Sequence, residues 1–191
     1  MKNPLRRIQY NAPLVLTVFF LSLLALGLNE LTHGWTGRHL FSVYRSSLLD
    51  PLFYVRLFGH VLGHGSWEHF VSNMVLLLVL GAPMEQKYGS RALLSGVLLT
   101  ALVSGVLQCV FFPGTALLGA SGVVFMFIML ASLAGMKAGR IPLTLILVAV
   151  LYLGQEVYAA LFVQDNVAHF MHLVGGACGT VFGFALSRRR R

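Results

Sequence analysis

The chain of 191 residues is 57% hydrophobic, and only 10% of its residues are formally charged. Soluble domains are usually about 45–50% apolar and about 25% charged, so this composition excludes an ordinary soluble enzyme, a disordered chain and a fibrous protein. The net charge of +8 is spread over short gaps between apolar runs and over both ends. That distribution is typical of membrane topology and argues against a nucleic-acid partner. The sequence predicts an all-α membrane protein embedded in a lipid bilayer.

Six apolar segments are predicted to cross the membrane, since about 20 helical residues span a hydrocarbon core of about 30 Å. The uncharged stretch from 92 to 136 is too long for one helix, and Pro113-Gly114 divides it. The fifth segment is interrupted by Gln155 and Glu156. The predicted spans in chain order are Leu14–Leu28, His69–Met84, 92–111, 121–136, Ile141–Val163 and Asn166–Ser187.

The positions of lysine and arginine predict the orientation of these spans. With a cytoplasmic N-terminus, the N-terminal segment, the loops at 84–91 and 137–140 and the C-terminus hold 3, 2, 2 and 4 of them, which is 11 of 14. This is the pattern of the positive-inside rule. It predicts a cytoplasmic segment 1–11, a six-helix membrane domain 12–187 and a basic cytoplasmic tail 188–191. The composition suits a bacterial inner membrane.

The first span has an alternative interpretation as a cleaved signal peptide. Basic residues precede it, and Ala25-Leu26-Gly27 resembles a cleavage site. Its apolar stretch is longer than a signal h-region of about 7–15 residues, which favours a retained span.

Polar groups inside the predicted spans are candidates for function, because such groups are costly in lipid. Ser121 lies 15 residues before Met136, the inner end of its span. At 1.5 Å per residue it lies about 8 Å below the outer boundary. His69 reaches the same depth when counted from the end of the second span, and His172 lies about 9 Å below the outer boundary. Three separate counts place a serine and two histidines at one level.

Ser121 is predicted to start a helix in a glycine-rich turn between Gly119 and Gly122. Glycine allows a tight turn and a close approach of backbone to substrate. The unpaired N–H groups of a helix N-terminus suit the stabilisation of an oxyanion. The alternative is a small serine that eases helix packing, and for an isolated Gly-x-Ser-Gly it is the commoner case.

His69 and Asn73 are four residues apart and share one helix face. Both side chains donate hydrogen bonds, which suits an oxyanion hole. A polar pair that bridges two helices is an equally good interpretation of these two residues alone.

His172 is followed by Gly175 and Gly179 near one helix face. Faces lined by small residues allow helices to approach closely in membranes. Such an approach would let His172 reach Ser121 on another helix. Asp165 is about two turns away, roughly 10 Å along the axis, so a serine–histidine dyad fits better than a triad.

Taken together and in their order along the chain, these motifs resemble those of the rhomboid intramembrane serine proteases over residues 56–187. The segments that carry the resemblance are His64-Gly-Ser-Trp-Glu-His69 with Asn73, Gly81-x-x-x-Glu85-x-x-x-Gly89, Gly119-Ala-Ser121-Gly122 and His172-Leu-Val-Gly175-x-x-x-Gly179. The resemblance implies a six-helix rhomboid core that needs no cofactor or metal and cleaves transmembrane protein substrates. It names no particular substrate and no oligomeric state.

The resemblance also implies a role for each matching residue. Ser121 corresponds to the nucleophile and His172 to the general base, while His69 and Asn73 correspond to oxyanion-hole side chains beside the Ser121 backbone N–H. The glycines predicted to support this site are Gly119, Gly122, Gly175 and Gly179.

Four further features are compared with the family pattern. Phe125 stands where some members have a tyrosine that packs on the catalytic histidine, and it keeps the stacking surface. His64 corresponds to a histidine of the outer loop region. The long first loop, which contains Trp35 and Trp67, resembles a family loop that lies partly in the membrane. His169 is a second histidine one turn before the preferred base, and it lacks the following glycines.

A metal site, a transporter and a non-catalytic relative are the alternatives. His60, His64 and His69 are close in sequence, but the glycines around them weaken a helix, and no His-Glu-x-x-His motif occurs. A transporter would need acidic residues at membrane depth, and Glu156 is the only candidate. A rhomboid relative that only binds transmembrane clients need not keep a nucleophile and a base, and this chain has both. Cys109 and Cys178 both lie in apolar runs and are predicted to be packing residues.

Overall fold

The computed structural model describes residues 9–136, 140–155, 158 and 166–188. Its helices confirm the predicted all-α architecture, and one isolated bridge is the only β pairing within these residues. The helices are α1 (Pro13–Leu31), α2 (Trp35–Leu40), α3 (Pro51–Gly59), α4 (Trp67–Leu76), α5 (Ala82–Tyr88), α6 (Ser90–Phe111), α7 (Ser121–Leu133), α8 (Leu143–Val148) and α9 (Asn166–Arg188).

Three shorter helical segments complete the elements. A 3₁₀ turn follows α3, and π-helical turns join α4 to α5 and extend α8; these segments are His60–Leu62, Leu77–Gly81 and Ala149–Leu153. Pro83 lies just after the first π turn and has no N–H to donate back along the helix, which favours a local widening there.

Four helices are long and apolar enough to cross a membrane: Pro13–Leu31, Trp67–Tyr88, Ser90–Phe111 and Val167–Ser187. They correspond to the predicted first, second, third and sixth spans. Together with their composition, they identify an integral membrane protein.

The predicted count of six spans is not confirmed. The fourth predicted span, 121–136, is helical only from Ser121 to Leu133, and these 13 residues reach about 20 Å, short of a hydrocarbon core of about 30 Å. The helix begins at Ser121, the predicted first residue, but it ends at Leu133, and Ala134 and Gly135 form a turn. The fifth, Ile141–Val163, contains α8 and its π turn, but most of its second half lies outside the described residues. The predicted domain limits, 12–187, stay a prediction.

The short helix α7 forms the centre of the molecule. Every residue from Val123 to Leu130 is buried, so the helix has no exposed face over two turns. A helix that is apolar on all sides is stable only when other helices surround it. Its first residue, Ser121, is therefore held in the interior of the bundle.

The closest helix packing joins α7 to α9 through glycines. A Cβ atom on Gly175 would lie 2.7 Å from the carbonyl carbon of Gly122, and one on Gly179 would lie 2.8 Å from the Cα of Met126. Four residues separate the contacts on each helix, so α7 and α9 run parallel in one register. A helix face without side chains at these two positions allows the backbones to come this close.

The end of the bundle opposite Ser121 is organised by the buried carboxylate of Glu85. It accepts hydrogen bonds from the backbone N–H groups of Leu14 and Val15 at the start of α1, at 2.8 and 2.9 Å, and from the Ser90 hydroxyl at the start of α6, at 2.6 Å. Ala12, the N-cap residue of α1, provides no side-chain cap. Glu85 therefore satisfies N-terminal donors of another helix and joins three helices.

The first loop, residues 32–66, is folded around the buried side chain of Arg56, which is 1% exposed. Its guanidinium donates to Asp50 at 2.6 Å and to the Ser46 hydroxyl at 2.8 Å, and it lies 4.5 Å from the ring centroid of Tyr44. The hydrogen bond from Arg56 holds the pKa of the Asp50 carboxyl below its usual range. A buried cation with these partners holds the loop in one conformation.

Candidate active site

Ser121 is the first residue of α7, and the N-cap residue Ala120 makes no side-chain cap. Gly119 has a φ of +131°, in the region that favours glycine. Its N–H donates to the carbonyl oxygen of His60 at 2.9 Å. The serine therefore follows a fixed glycine turn at a helix N-terminus, where N–H groups are available to an anion.

His69 on α4 lies against the same turn. A Cβ atom on Gly119 would lie 2.8 Å from both Cε1 and Nε2 of His69, and 3.9 Å from Oγ of Ser121. The imidazole edge and the serine hydroxyl thus both lie beside the bare glycine backbone. The local fold of α4 helps to hold the histidine, because Ser66 caps that helix by accepting from the His69 N–H at 3.2 Å.

Asn73 lies one turn after His69 and is buried. Its Nδ2 donates to the carbonyl oxygen of His69 at 3.0 Å. An amide nitrogen carries two protons, so a second donor remains. The Asn73 side chain thus bonds to its own helix. The structure shows no hydrogen bond between Asn73 and Ser121.

His172 on α9 stacks flat on Phe125, with ring centroids 4.4 Å apart and an interplanar angle of 8°. Phe125 lies one turn after Ser121 on the same face of α7. The predicted stacking surface is confirmed. His172 also lies within electrostatic range of His69. The glycine contact one turn along α9 holds the imidazole close to the start of α7.

His169 lies one turn before His172, and their rings meet edge to face at a centroid distance of 6.2 Å. Nearby, a cavity of about 370 Å³ opens beside His69, between the loop that precedes Ser121 and the start of α9. Its lining includes Gly65, Thr115, Leu118, Val167 and Ala168. A cavity of this size, lined by the His69 imidazole and the Thr115 hydroxyl, can admit a short extended segment of a chain.

His64 lies behind His69 and is only 2% exposed. Its ring packs edge-on against His69 and Phe70, with centroid distances of 5.0 and 5.4 Å. The Nδ1–H donates to the carbonyl oxygen of Leu62 at 3.1 Å. Burial lowers the pKa of His64 to about 4, so this imidazole is neutral at pH 7. A neutral, packed ring supports the position of His69.

The contact between the first loop and the serine turn was not predicted from the sequence. Val43 and Leu117 exchange backbone hydrogen bonds, each 2.9 Å long, and Gly119 is bonded to His60. These bonds hold both ends of the segment 117–119 just before Ser121. Neither periodicity nor a motif signals a pairing between two irregular segments that are far apart in the chain.

A family model described as the Rhomboid domain matches residues 52–189. This range contains α4, α7 and α9 with all of their candidate site residues. The chain belongs to the rhomboid family. The predicted resemblance is confirmed.

Relatives of this rhomboid protein come from several kinds of organism. It is 31% identical over 147 residues to "Rhomboid-related protein 2" of Mus musculus, covering 69% of this chain and 47% of the relative. It is 32% identical over 133 residues to "Rhomboid protease GlpG" of Pectobacterium atrosepticum, covering 68% and 47%. It is 26% identical over 167 residues to "Rhomboid-like protein 11, chloroplastic" of Arabidopsis thaliana, covering 87% and 55%.

The chain spans about half the length of these relatives. Because they include an animal, a bacterial and a chloroplast protein, membership of the family identifies a membrane protein without selecting one membrane. The bacterial inner membrane therefore stays a prediction.

Proposed function

We propose that this rhomboid-family protein is an intramembrane serine endopeptidase that hydrolyses peptide bonds in or near the transmembrane helices of other proteins. One observation carries the proposal: the Ser121 hydroxyl and the His69 ring both lie beside Gly119, and His172 stacks on Phe125, one helical turn after Ser121. The name of one relative, a rhomboid protease, supports the same activity.

In the proposed reaction, His172 accepts the proton of the Ser121 hydroxyl while Oγ attacks the carbonyl carbon of the scissile bond. The resulting oxyanion accepts hydrogen bonds from the Ser121 backbone N–H, His69 and Asn73. His172 then gives its proton to the leaving amine, and an acyl-enzyme ester remains. A water molecule then loses a proton to His172 and attacks the ester carbon. As the ester bond breaks, His172 returns the proton to Oγ of Ser121, and the carboxyl product leaves.

We propose a dyad and not a triad. Asp165 lies outside the described residues, and its sequence separation from His172 is two helical turns. The flat stack on Phe125 orients the imidazole without a carboxylate. We also propose that both termini lie in the cytoplasm, on the strength of the lysine and arginine distribution.

The decisive experiment compares Ser121→Ala with Ser132→Ala, a serine in the last turns of the same helix. Purified variants are treated with a fluorophosphonate probe and incubated with a panel of single-span membrane proteins. Wild type and Ser132→Ala should be labelled and should cleave, whereas Ser121→Ala should do neither and still unfold at the wild-type temperature. Equal labelling of Ser121→Ala would contradict the assignment.

A second comparison separates the two histidines of α9. His172→Ala should lose both labelling and cleavage, because no base remains beside Ser121. His169→Ala should keep most of each. Asn73→Ala should retain measurable activity, since loss of one oxyanion donor costs about 10²–10³ in rate. The reverse result for the histidines would move the base one turn along α9.

A client-binding protein without catalysis is the second candidate, because two relatives have names that state no activity. It is distinguished by the same variants. Under this alternative, wild type and Ser121→Ala retain a transmembrane client equally and neither reacts with the probe.

A further inference from the structure

A second cavity, of about 560 Å³, lies between the first loop and α6. Phe53 and Leu57 of α3 form its buried floor, and Val106, Cys109 and Val110 line it on the side of α6. Most of this lining is apolar, and the volume is within the range of about 300–1,000 Å³ that small-molecule sites occupy.

The cavity is placed at the edge of the bilayer. Its residues on α6 belong to the last two turns of a helix that is long and apolar enough to span a membrane. Such end turns lie where the hydrocarbon core meets the lipid headgroups. Leu48, Val106 and Val110 are 66%, 43% and 60% exposed, so the cavity opens towards the lipid.

One arginine that makes no ion pair within the described residues lines this apolar cavity. The ion pair of Arg56 with Asp50 is the only one within the described part of the chain, so Arg45, which is exposed and lines the cavity, makes none there. The neighbouring Ser46 also lines it; its oxygen accepts from Arg56, which leaves its own proton to donate. An arginine fork and a hydroxyl are donors that suit a phosphate group.

We propose that this groove binds a membrane phospholipid. The phosphate lies on the Arg45 guanidinium and the Ser46 hydroxyl, and one acyl chain follows the apolar wall formed by Leu57, Val106 and Val110. Apolar burial and a charge-assisted hydrogen bond then act on one molecule, and bulk lipid supplies it at high local concentration. The bound lipid braces the first loop two residues from Val43, which pairs with the serine turn. The proposal is independent of the protease activity.

Cys109 provides the readout, because it lines the groove and the chain has one other cysteine, Cys178. In a Cys178→Ser protein in dodecyl maltoside micelles, the rate of Cys109 alkylation by N-ethylmaleimide is measured as phosphatidylglycerol is added. The rate should fall severalfold and saturate. Diacylglycerol with the same acyl chains, and inorganic phosphate alone, should protect far less. Native mass spectrometry should show one retained phospholipid.

Matched variants of the first loop test the contact with the phosphate. Arg45→Gln should raise the lipid concentration that gives half-protection by about tenfold, and Arg45→Lys should restore part of the affinity. Arg38→Gln is the control, since Arg38 is exposed in the same loop and does not line the groove. Thermal unfolding of each variant checks that the fold is kept.

Several results would overturn the proposal. If diacylglycerol protects Cys109 as well as the phospholipid does, the phosphate group makes no contact in the groove. If inorganic phosphate alone protects Cys109, the groove is a simple anion site. An Arg45→Gln protein protected like wild type would remove the arginine. If no lipid changes the alkylation rate, the groove binds no lipid. If only a transmembrane peptide lowers the rate, the occupant is a protein segment.

Discussion

Gly119 lets the His69 ring approach the backbone beside Ser121 because it carries no side chain. A methyl group there would lie 2.8 Å from two ring atoms, and the φ of +131° would strain any other residue by about 1–3 kcal/mol. We expect Gly119→Ala to lower kcat/KM about tenfold or more, measured on a cleaved membrane substrate.

The matched control is Gly114→Ala in the same loop, where a Cβ atom meets nothing within 4 Å. It should keep wild-type kcat/KM. Equal losses in both variants would attribute the effect to loop stiffness and not to the approach of His69.

The buried histidines predict how stability depends on pH. Burial lowers the pKa of His64 and of His60 to about 4 each, from about 6.5 in the unfolded chain. Above pH 6.5 both states are neutral and stability is at its full value. As the pH falls from 6.5 towards 4, only the unfolded chain takes up protons, and stability is lost.

The measurement is the thermal unfolding midpoint in detergent between pH 7.5 and pH 4.5. His64→Asn should reduce the slope of the midpoint against pH, whereas His33→Gln, at an exposed position of the same loop, should leave it unchanged. A slope as steep in His64→Asn as in wild type would show that folding does not lower the pKa of His64.

The parallel contact of α7 and α9 decides how far the base lies from the nucleophile. Gly175 has backbone atoms of Gly122 where a side chain would be. We expect Gly175→Leu to push the helices apart and lower activity by about 10²-fold or more, because a displacement of about 1 Å has that effect on catalysis. The thermal midpoint should also fall, since the packing of the central helix is lost.

Ala177→Leu on α9 is the control for that substitution, because residue 177 is exposed. It adds the same side chain to the same helix and should keep activity and stability. Wild-type cleavage by Gly175→Leu would mean that the close approach does not position His172.

The helix limits were predicted better than the interruptions within helices. The span predicted as Leu14–Leu28 is helical from Pro13 to Leu31, and α4 begins at Trp67, just before the predicted limit. Apolar length determines such spans. The π turn at Leu77–Gly81 and the early end of α7 at Leu133 were not predicted, because they depend on local backbone geometry and on neighbouring chain segments.

At the scale of the whole molecule, α7 extends only about 20 Å from Ser121 and lies among helices that are long and apolar enough to span a membrane. A peptide bond that reaches the serine must leave its own helix, where it is hydrogen-bonded and covered by side chains. We expect substrates with glycine or proline near the cleaved end of their transmembrane helix to be preferred.

Pairs of substrates that differ only at those positions test this expectation. Replacing the helix-weakening residues with leucine or alanine should slow cleavage severalfold, measured as initial rates in liposomes. Leucine substitutions of equal number at the far end of the same helix serve as controls. Equal rates for stabilised and natural helices would show that unwinding does not limit the reaction.

The amino-acid sequence by itself determined the membrane class and four of the helices, and it predicted that a serine and two histidines share one depth. A lipid bilayer requires long apolar helices in the segments that cross it. A motif such as Gly175-x-x-x-Gly179 predicts a helix–helix contact from residues that are close together in the sequence. Only the tertiary structure decided that Val43 pairs with Leu117 and that His60 holds Gly119. Those bonds join irregular segments from distant parts of the chain. Such segments have no hydrophobic periodicity, so the sequence does not predict which carbonyl accepts from which N–H group.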